Sequence, residues 1–391
     1  MSVAEHALAK IGGRQIAENL ERPLRDARGL PPLAYTSQPF FEDEMSRIFR
    51  RKWLGVAFSH ELLNKGDARP LKLAGVEVLL VRDTQGRMRA FHNVCRHRAS
   101  IVLTEPATGL TALRCPYHCW TYNLDGTLKL APMWEGPRDG AQSTLDPKEN
   151  ALTELRCGEW QDIVFVNLAP DAGPLADFVA PLEKRWTHFN FSSLKPFGQM
   201  ERTIDANWKI VMEGLLEVYH ENFVHESLGY RVDAKGQKTW RDIMMDDIMG
   251  FEGVLPDSKH EDNADELPRI AGMPKTGPAS TDIFLMFPCT SINVMDTHVV
   301  RTLWEPASLK QTRWRSTWYF PAEVVDDAKY HKACQDIVDF WMTIRGEDLG
   351  AVLSIQRGLE SWDSAARNIK FSPYWEEIVR HFQRHVVRAL D

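Results

Sequence analysis

The sequence has no run of apolar residues near the roughly 20 that a bilayer-spanning helix requires, so a membrane-embedded protein is not expected. It also lacks an excess of positive charge. With 47 Lys and Arg against 54 Asp and Glu the formal net charge is −7, which argues against nucleic acid as a partner, since phosphates attract a basic face. Cysteine is scarce: six among 391 residues is far below the density of a disulfide scaffold. No basic leader followed by an apolar run is present, which predicts a cytoplasmic protein. Repeats and low-complexity tracts are missing. Neither a Gly-x-Gly-x-x-Gly loop nor a Cys-x4-Cys-x2-Cys run occurs, which excludes a built-in dinucleotide fingerprint and a plant-type ferredoxin cluster.

What cysteine there is carries the strongest signal. Cys95-Arg96-His97 and, 17 residues on, Cys115-Pro116-Tyr117-His118 each pair one thiol with one imidazole. A structural zinc site usually shows Cys-x2-Cys with a second Cys or His pair, and would give a colourless protein. One Cys and one His per loop instead suit a [2Fe–2S] cluster with two thiolates on one iron and two imidazoles on the other. Replacing thiolate by imidazole removes negative charge and raises the reduction potential. Cys119 reads as a small buried hydrophobe, and Cys157, Cys289 and Cys334 as free buried thiols.

Around these motifs the pattern is β-rich. Val76 to Val81, a turn at Asp83 to Gly86, and Met88 to Phe91 read as a hairpin, with a further turn at Asn123 to Gly126 and a strand over Val164 to Leu168. Residues 45 to 160 therefore read as a small all-β domain. Helical patterns are expected over Glu5 to Glu21 and Phe40 to Phe49, and beyond Pro174 over Trp208 to His225, Ala328 to Trp341 and Tyr374 to Val387. Strands are expected at Ile283 to Phe287 and Trp314 to Phe320. The fold class is α+β, with an antiparallel sheet covered by helices in the second domain.

Glu213, Glu217 and His220 are spaced to share one face of a helix. His225 falls about 140° further round, so the two imidazoles can meet on one ion only where the helix ends or bulges, with Asn222 and Phe223 as the expected place. Two His and a carboxylate suit a non-haem Fe(II) centre. On spacing alone, a pair of structural histidines is an equal reading.

Cys95-Arg96-His97-Arg98 with Cys115-Pro116-Tyr117-His118, followed by Glu217-Val218-Tyr219-His220-Glu221-Asn222-Phe223-Val224-His225 and preceded by Asn207-Trp208-Lys209, resembles the Rieske non-haem iron oxygenases over essentially the whole chain. The Rieske proteins of respiratory complexes carry an extra disulfide-forming Cys in each loop, where this chain has Ser100 and Tyr117. The resemblance implies a helical segment over 1–44 packing on the catalytic domain, a Rieske domain over 45–165 and a catalytic domain over 166–391. It implies Cys95, His97, Cys115 and His118 on the cluster, and His220 and His225 on a mononuclear Fe(II). Asp348 is the implied third ligand, with Glu347 second, from their spacing before Gln356. Glu217 takes the place of an acid, usually Asp, that joins His220 to a cluster histidine of a neighbouring subunit, more in keeping with His118 than with His97. Gly214 replaces an Asn common in relatives.

A head-to-tail homotrimer, a separate NAD(P)H-dependent flavin or iron–sulfur reductase, O2 and a small-molecule substrate follow from the same resemblance. Glu at 217, together with the aromatic residues Trp208, Tyr219 and Trp240, points to oxidation of a quaternary or tertiary amine, as in the carnitine and glycine betaine oxygenase subgroup. Two rival readings are ring hydroxylation of an aromatic acid, which calls for an Arg or Lys in the pocket, and an electron-transfer protein with a Rieske cluster alone.

Overall fold

The computed structural model describes Leu8, 11–136, 144–225, Leu228, 237–254, 267–273, 280–362 and 369–391. Contacts divide the chain into two units, Phe49–Val179 and Met1–Ile48 with Ala180–Asp391. No helix among the described residues is long and apolar enough to cross a membrane.

The first unit is built on a six-stranded antiparallel sheet in the order Leu54–Phe58, Ile163–Asn167, Glu154–Trp160, Met88–His92, Val76–Arg82, Ala68–Leu73. A smaller sheet joins Leu113–Arg114, Thr121–Tyr122 and Leu128–Leu130. The run Val78 to Val81 is buried on both faces, which is why it reads as continuous apolar sequence. Leu79, Val81 and Phe91 share one core with Cys95, Cys115, Trp120 and Tyr122, so both cysteine loops are rooted in that core. The Asn123–Gly126 turn needs its glycine: φ is +87°, and a Cβ there would lie 2.5 Å from the Phe91 ring.

The second unit holds a seven-stranded antiparallel sheet, ordered Leu194–Ile204, Gln311–Pro321, Val299–Ser308, Thr290–Met295, Ser280–Met286, Ile248–Val254, Trp240–Met245. The expected strands at 283 and 314 lie within it. Over it runs a 31-residue helix, His331–Ser361, longer than the expected Ala328 to Trp341. Its Ala333, Cys334, Ile337 and Val338 pack on Val300, Trp318 and Phe320 of the sheet, at the helical i, i+3, i+4 spacing. Glu347-Asp348 therefore sits inside a helix rather than at the start of one. The helix expected over Tyr374 to Val387 runs from Glu377 to Leu390 and buries a stripe that includes Ile378, Val379, Phe382 and Val386. Of the expected Glu5 to Glu21 helix, Gly13–Leu20 is helical, and most of the part before Gly13 lies outside the described residues. Gln38–Glu44 is α-helical and gives way to a π-turn over Met45–Phe49.

One buried ion pair anchors this unit. Lys209 Nζ lies 2.6 Å from Glu44 Oε1, both side chains fully buried, while Trp208 Nε1 donates to Glu44 Oε2 at 3.0 Å. Lys209 also lies over the rings of Tyr35 and Phe40. Burial raises Glu44 and lowers Lys209, so each charge depends on the other. Removing one partner strands a buried charge, which costs about 3–5 kcal/mol, whereas replacing both by apolar residues is close to neutral. Glu44→Ala is expected to lower the unfolding free energy from urea titration by that amount, and the double change Glu44→Leu with Lys209→Met to restore most of it.

Candidate active site

The two histidines approach each other because the helix stops between Glu213 and His220. Trp208–Leu216 is helical, capped by the Asn207 side chain accepting from the Lys209 N–H at 3.1 Å. Glu217 then turns to extended backbone (φ −98°, ψ 140°). Its Oε2 accepts the backbone N–H groups of Tyr219, at 2.5 Å, and His220, at 3.1 Å, a capping pattern. A single new turn follows over Glu221–Val224, with His220 at its N-cap and His225, again extended, at its C-cap. The irregularity thus flanks this turn on both sides, and is not at Asn222 and Phe223. It also removes Glu213 from the face it was expected to share with Glu217 and His220.

The His220 and His225 rings lie 5.2 Å apart and nearly perpendicular. Nε2 of His220 is 3.2 Å and Nε2 of His225 is 3.0 Å from the same atom, Asp348 Oδ1. Ligand atoms of all three lie within 4.8 Å of one another, a spacing one metal ion can bridge. Behind each imidazole stands a second carboxylate. Glu217 Oε1 is 2.6 Å from His220 Nδ1, and Glu347 Oε2 is 2.8 Å from His225 Nδ1. A carboxylate at Nδ1 keeps the proton there and turns the Nε2 lone pair forward, as metal-binding imidazoles require. Burial disfavours an imidazolium at His220, but hydrogen bonds and charge from Asp348 and Glu217 outweigh it and raise the group to about 10. Asp348 is also buried, yet the two imidazoles bring it down to about 2. Positive charge is thus held where a cation would fit.

The three groups line a cavity of about 810 Å³. Gly214 lines it too, and a Cβ there would meet nothing within 4 Å. The aromatic wall residues include Phe251, Trp304, Trp314 and Trp341, and not the expected Trp208, Tyr219 and Trp240. Trp208 is core, bonded to Glu44. Tyr219 and Trp240 both stack on Trp375, at 5.3 and 4.7 Å. Among the charged wall residues, Arg345 went unrecognised in the sequence, and Glu213 was expected only to share a helix face with Glu217 and His220. Glu213 accepts from the Tyr35 hydroxyl (2.7 Å) and the Gln383 amide (3.0 Å), and burial pushes its carboxyl up to about 7. Arg345 is brought down to about 10 by burial, which the charge of Asp348 partly offsets. Partners so distant in sequence leave no local signal.

In the other unit the two cysteine loops have one geometry. Cys95 N–H donates to Ser100 O and Ala99 N–H to Cys95 O; Cys115 N–H donates to Trp120 O and Cys119 N–H to Cys115 O. Ala99 and Cys119, at matching places, both have left-handed φ, 57° and 56°, which favours a small residue. Cys119 is only half-buried, with its sulfur 3.0 Å from Arg114, and Cys157 is half-buried as well, while Cys289 and Cys334 are buried as expected. Cys95 and Cys115 are buried. Burial raises the Cys95 thiol, and neighbouring Cys115 adds to this, while the Tyr122 hydroxyl opposes it from 3.1 Å. The His97 and His118 rings are 4.6 Å apart, His97 stacked on Trp120. His97 is lowered by burial and by the charges of His118 and Arg98, which keeps it neutral as a ligand must be. Two close thiols inside and two close imidazoles outside are a donor set that fits a [2Fe–2S] cluster.

Comparison with known proteins finds a family for each unit. Residues 191–391 match the ring hydroxylating alpha subunit (catalytic domain) family and residues 52–138 the Rieske [2Fe-2S] domain. The carnitine monooxygenase oxygenase subunit of Acinetobacter pittii (strain PHEA-2) is 28% identical over 341 residues, 85% of each chain. The glycine betaine monooxygenase oxygenase subunit of Pseudomonas aeruginosa (strain UCBPP-PA14) is 34% identical over 215 residues, 55% of this chain and 49% of that one. In fold, a quaternary ammonium Rieske monooxygenase superposes with a TM-score of 0.78 at 24% identity, covering 96% of this chain and 98% of the other. A naphthalene 1,2-dioxygenase gives 0.69 at 20%, covering 94% and 95%. The chain belongs to the ring-hydroxylating alpha subunits, the oxygenase components that pair a Rieske [2Fe–2S] cluster with a mononuclear iron.

Proposed function

We propose that this oxygenase oxidises a quaternary or tertiary ammonium compound at the carbon beside nitrogen, with His220, His225 and Asp348 holding the mononuclear iron and Cys95, His97, Cys115 and His118 the cluster. The observation that carries the reading is the convergence of two Nε2 atoms on Asp348 Oδ1 at 3.2 and 3.0 Å in the cavity wall, each imidazole backed by its own carboxylate. Iron bound there supplies the activation of O2, and the cluster supplies electrons. The chain's own residues do the positioning. Glu217 and Glu347 fix the rings, and the apolar walls Leu215, Phe251 and Ile283 hold water away from the reacting carbon. Overall, O2 with two electrons and two protons delivers one oxygen atom to that carbon and one to water. The resulting carbinolamine then breaks its C–N bond to give an aldehyde and a smaller amine.

Glu217 in place of Asp and the buried carboxylate of Glu213 in the wall support an ammonium substrate. Relatives named for carnitine, glycine betaine and choline support it too. The electrons come from a separate NAD(P)H-dependent reductase and cross from one subunit to the next in a head-to-tail homotrimer, with Glu217 between His220 and the partner's cluster histidine. Inter-subunit electron transfer is described for the quaternary ammonium monooxygenase of this fold. Four thiols outside the cluster, none in a disulfide, suit a reducing cytoplasm.

A second reading has one observation in its favour: Arg345 in the wall is the cation expected for an aromatic acid. Purified enzyme with a reductase is expected to consume NADH and release aldehyde with trimethylammonium compounds and not with benzoates; the reverse result selects the aromatic acid.

Metal analysis tests the ligands. The intact protein should hold about three irons to two sulfides per chain. Asp348→Ala should drop to about two irons while keeping the visible spectrum of the cluster. Glu347→Gln should retain the third iron with affinity about 10–100-fold weaker, the usual loss for a group that orients a ligand. Exchanged outcomes would make Glu347 the ligand.

Tyr122→Phe tests the cluster loops. Losing the hydroxyl that faces Cys95 sulfur should lower the reduction potential, read by redox titration of the paramagnetic signal; an unchanged potential would reduce Tyr122 to a packing role.

A further inference from the structure

We propose that Arg345 receives a carboxylate of the substrate, so that the cavity selects a zwitterion, an ammonium compound with an acid group, over an ammonium alcohol or a simple amine. This rests on the ammonium reading above and narrows it. Arg345 lines the cavity one helical turn before Asp348, on the same face. Its guanidinium is held in place but not neutralised. It donates to Ser316 Oγ at 2.7 Å and Thr302 Oγ1 at 3.2 Å, and lies over Trp314 at 4.3 Å, with Trp318 and Trp304 at 5.6 and 5.8 Å. Hydroxyls and indole faces carry no net charge.

Among the described residues no carboxylate forms an ion pair with Arg345. Asp348, whose charge reaches it, faces the two imidazoles, and its charge is spent on the metal once one is bound. A partly buried charge that no carboxylate among the described residues neutralises can take its counter-charge from the ligand. The other wall cations, Arg202 and Lys370, are exposed.

Asn293 points the same way. It is 5% exposed, lines the same cavity, and its Oδ1 is buried with no hydrogen-bond partner. It sits opposite Val300, two residues from Thr302 on the same face of the sheet. An amide in the same wall, its Oδ1 without a partner, can turn its N–H to the second oxygen of a carboxylate. The opposite pole is in the same cavity. Both hydrogen bonds to Glu213 fall on Oε1, which leaves Oε2 available to an ammonium group. A plain ammonium compound would gain nothing from Arg345 and be repelled by it.

The experiment compares γ-butyrobetaine with its methyl ester, which keeps the ammonium group and loses the negative charge. With wild-type enzyme the acid should exceed the ester in kcat/KM by at least about 30-fold, the scale of a buried charge pair losing one member. Arg345→Gln should collapse that ratio towards one, chiefly through KM, and Arg345→Lys should recover part of it. Iron content and the cluster's paramagnetic signal confirm that each variant is folded. Should Arg345→Gln fail to fold, the wild-type ratio alone decides. Equal use of acid and ester, or a ratio unmoved by Arg345→Gln, overturns the assignment. Turnover of benzoates with neither ammonium probe accepted sinks the ammonium reading, and this inference falls with it.

Discussion

Imidazoles five residues apart on an unbroken helix point about 140° away from each other, and a shared ion is then geometrically excluded. The catalytic unit depends on how Glu217 removes that obstacle. Glu217 leaves the Trp208–Leu216 helix in extended backbone, its Oε2 accepts the Tyr219 and His220 N–H groups that lead into the next turn, and its Oε1 orients His220. The ring orientation and the backbone break therefore have a common cause. Asp is shorter by one methylene; Glu spans both tasks from an extended residue whose own backbone has already left the helix.

A site assembled from two helices needs those helices fixed against each other. Gln356, on the helix that brings Asp348, accepts the Asn207 N–H at 2.9 Å where the histidine-bearing segment begins. The next two residues, Trp208 and Lys209, are held by Glu44 from the N-terminal segment. Buried polar contacts of this kind add less to stability than their geometry suggests, because desolvation offsets much of the attraction. Their value here is register, which sets whether two Nε2 atoms and one carboxylate oxygen meet within a metal's reach.

The cluster loops solve a related problem by repetition. Each Cys starts a tight loop closed by the same pair of backbone hydrogen bonds, with a left-handed residue four places on. Both cysteines are buried in the core of the small domain while the histidines lie further out. In the proposed cluster that layering would put the two cysteines on the inner iron and the two histidines on the outer one.

The motifs themselves were legible: thiol–imidazole pairs at short spacing, acid-x2-His-x4-His, strands alternating around Gly turns, and an α+β order of elements. These depend on residues near each other in sequence, and local chemistry restricts what such residues can do. Spacing also required an interruption between His220 and His225, but placed it at Asn222 and Phe223, because the capping role of Glu217 depends on where its side chain folds back. Tertiary structure alone decided the rest. It set Glu347 behind His225, withdrew Trp208, Tyr219 and Trp240 from the cavity, and put Glu213 and Arg345 into its wall. Those outcomes hinge on contacts between residues dozens to hundreds of positions apart, whose partners are chosen by packing and burial, and neither leaves a periodic trace along the chain.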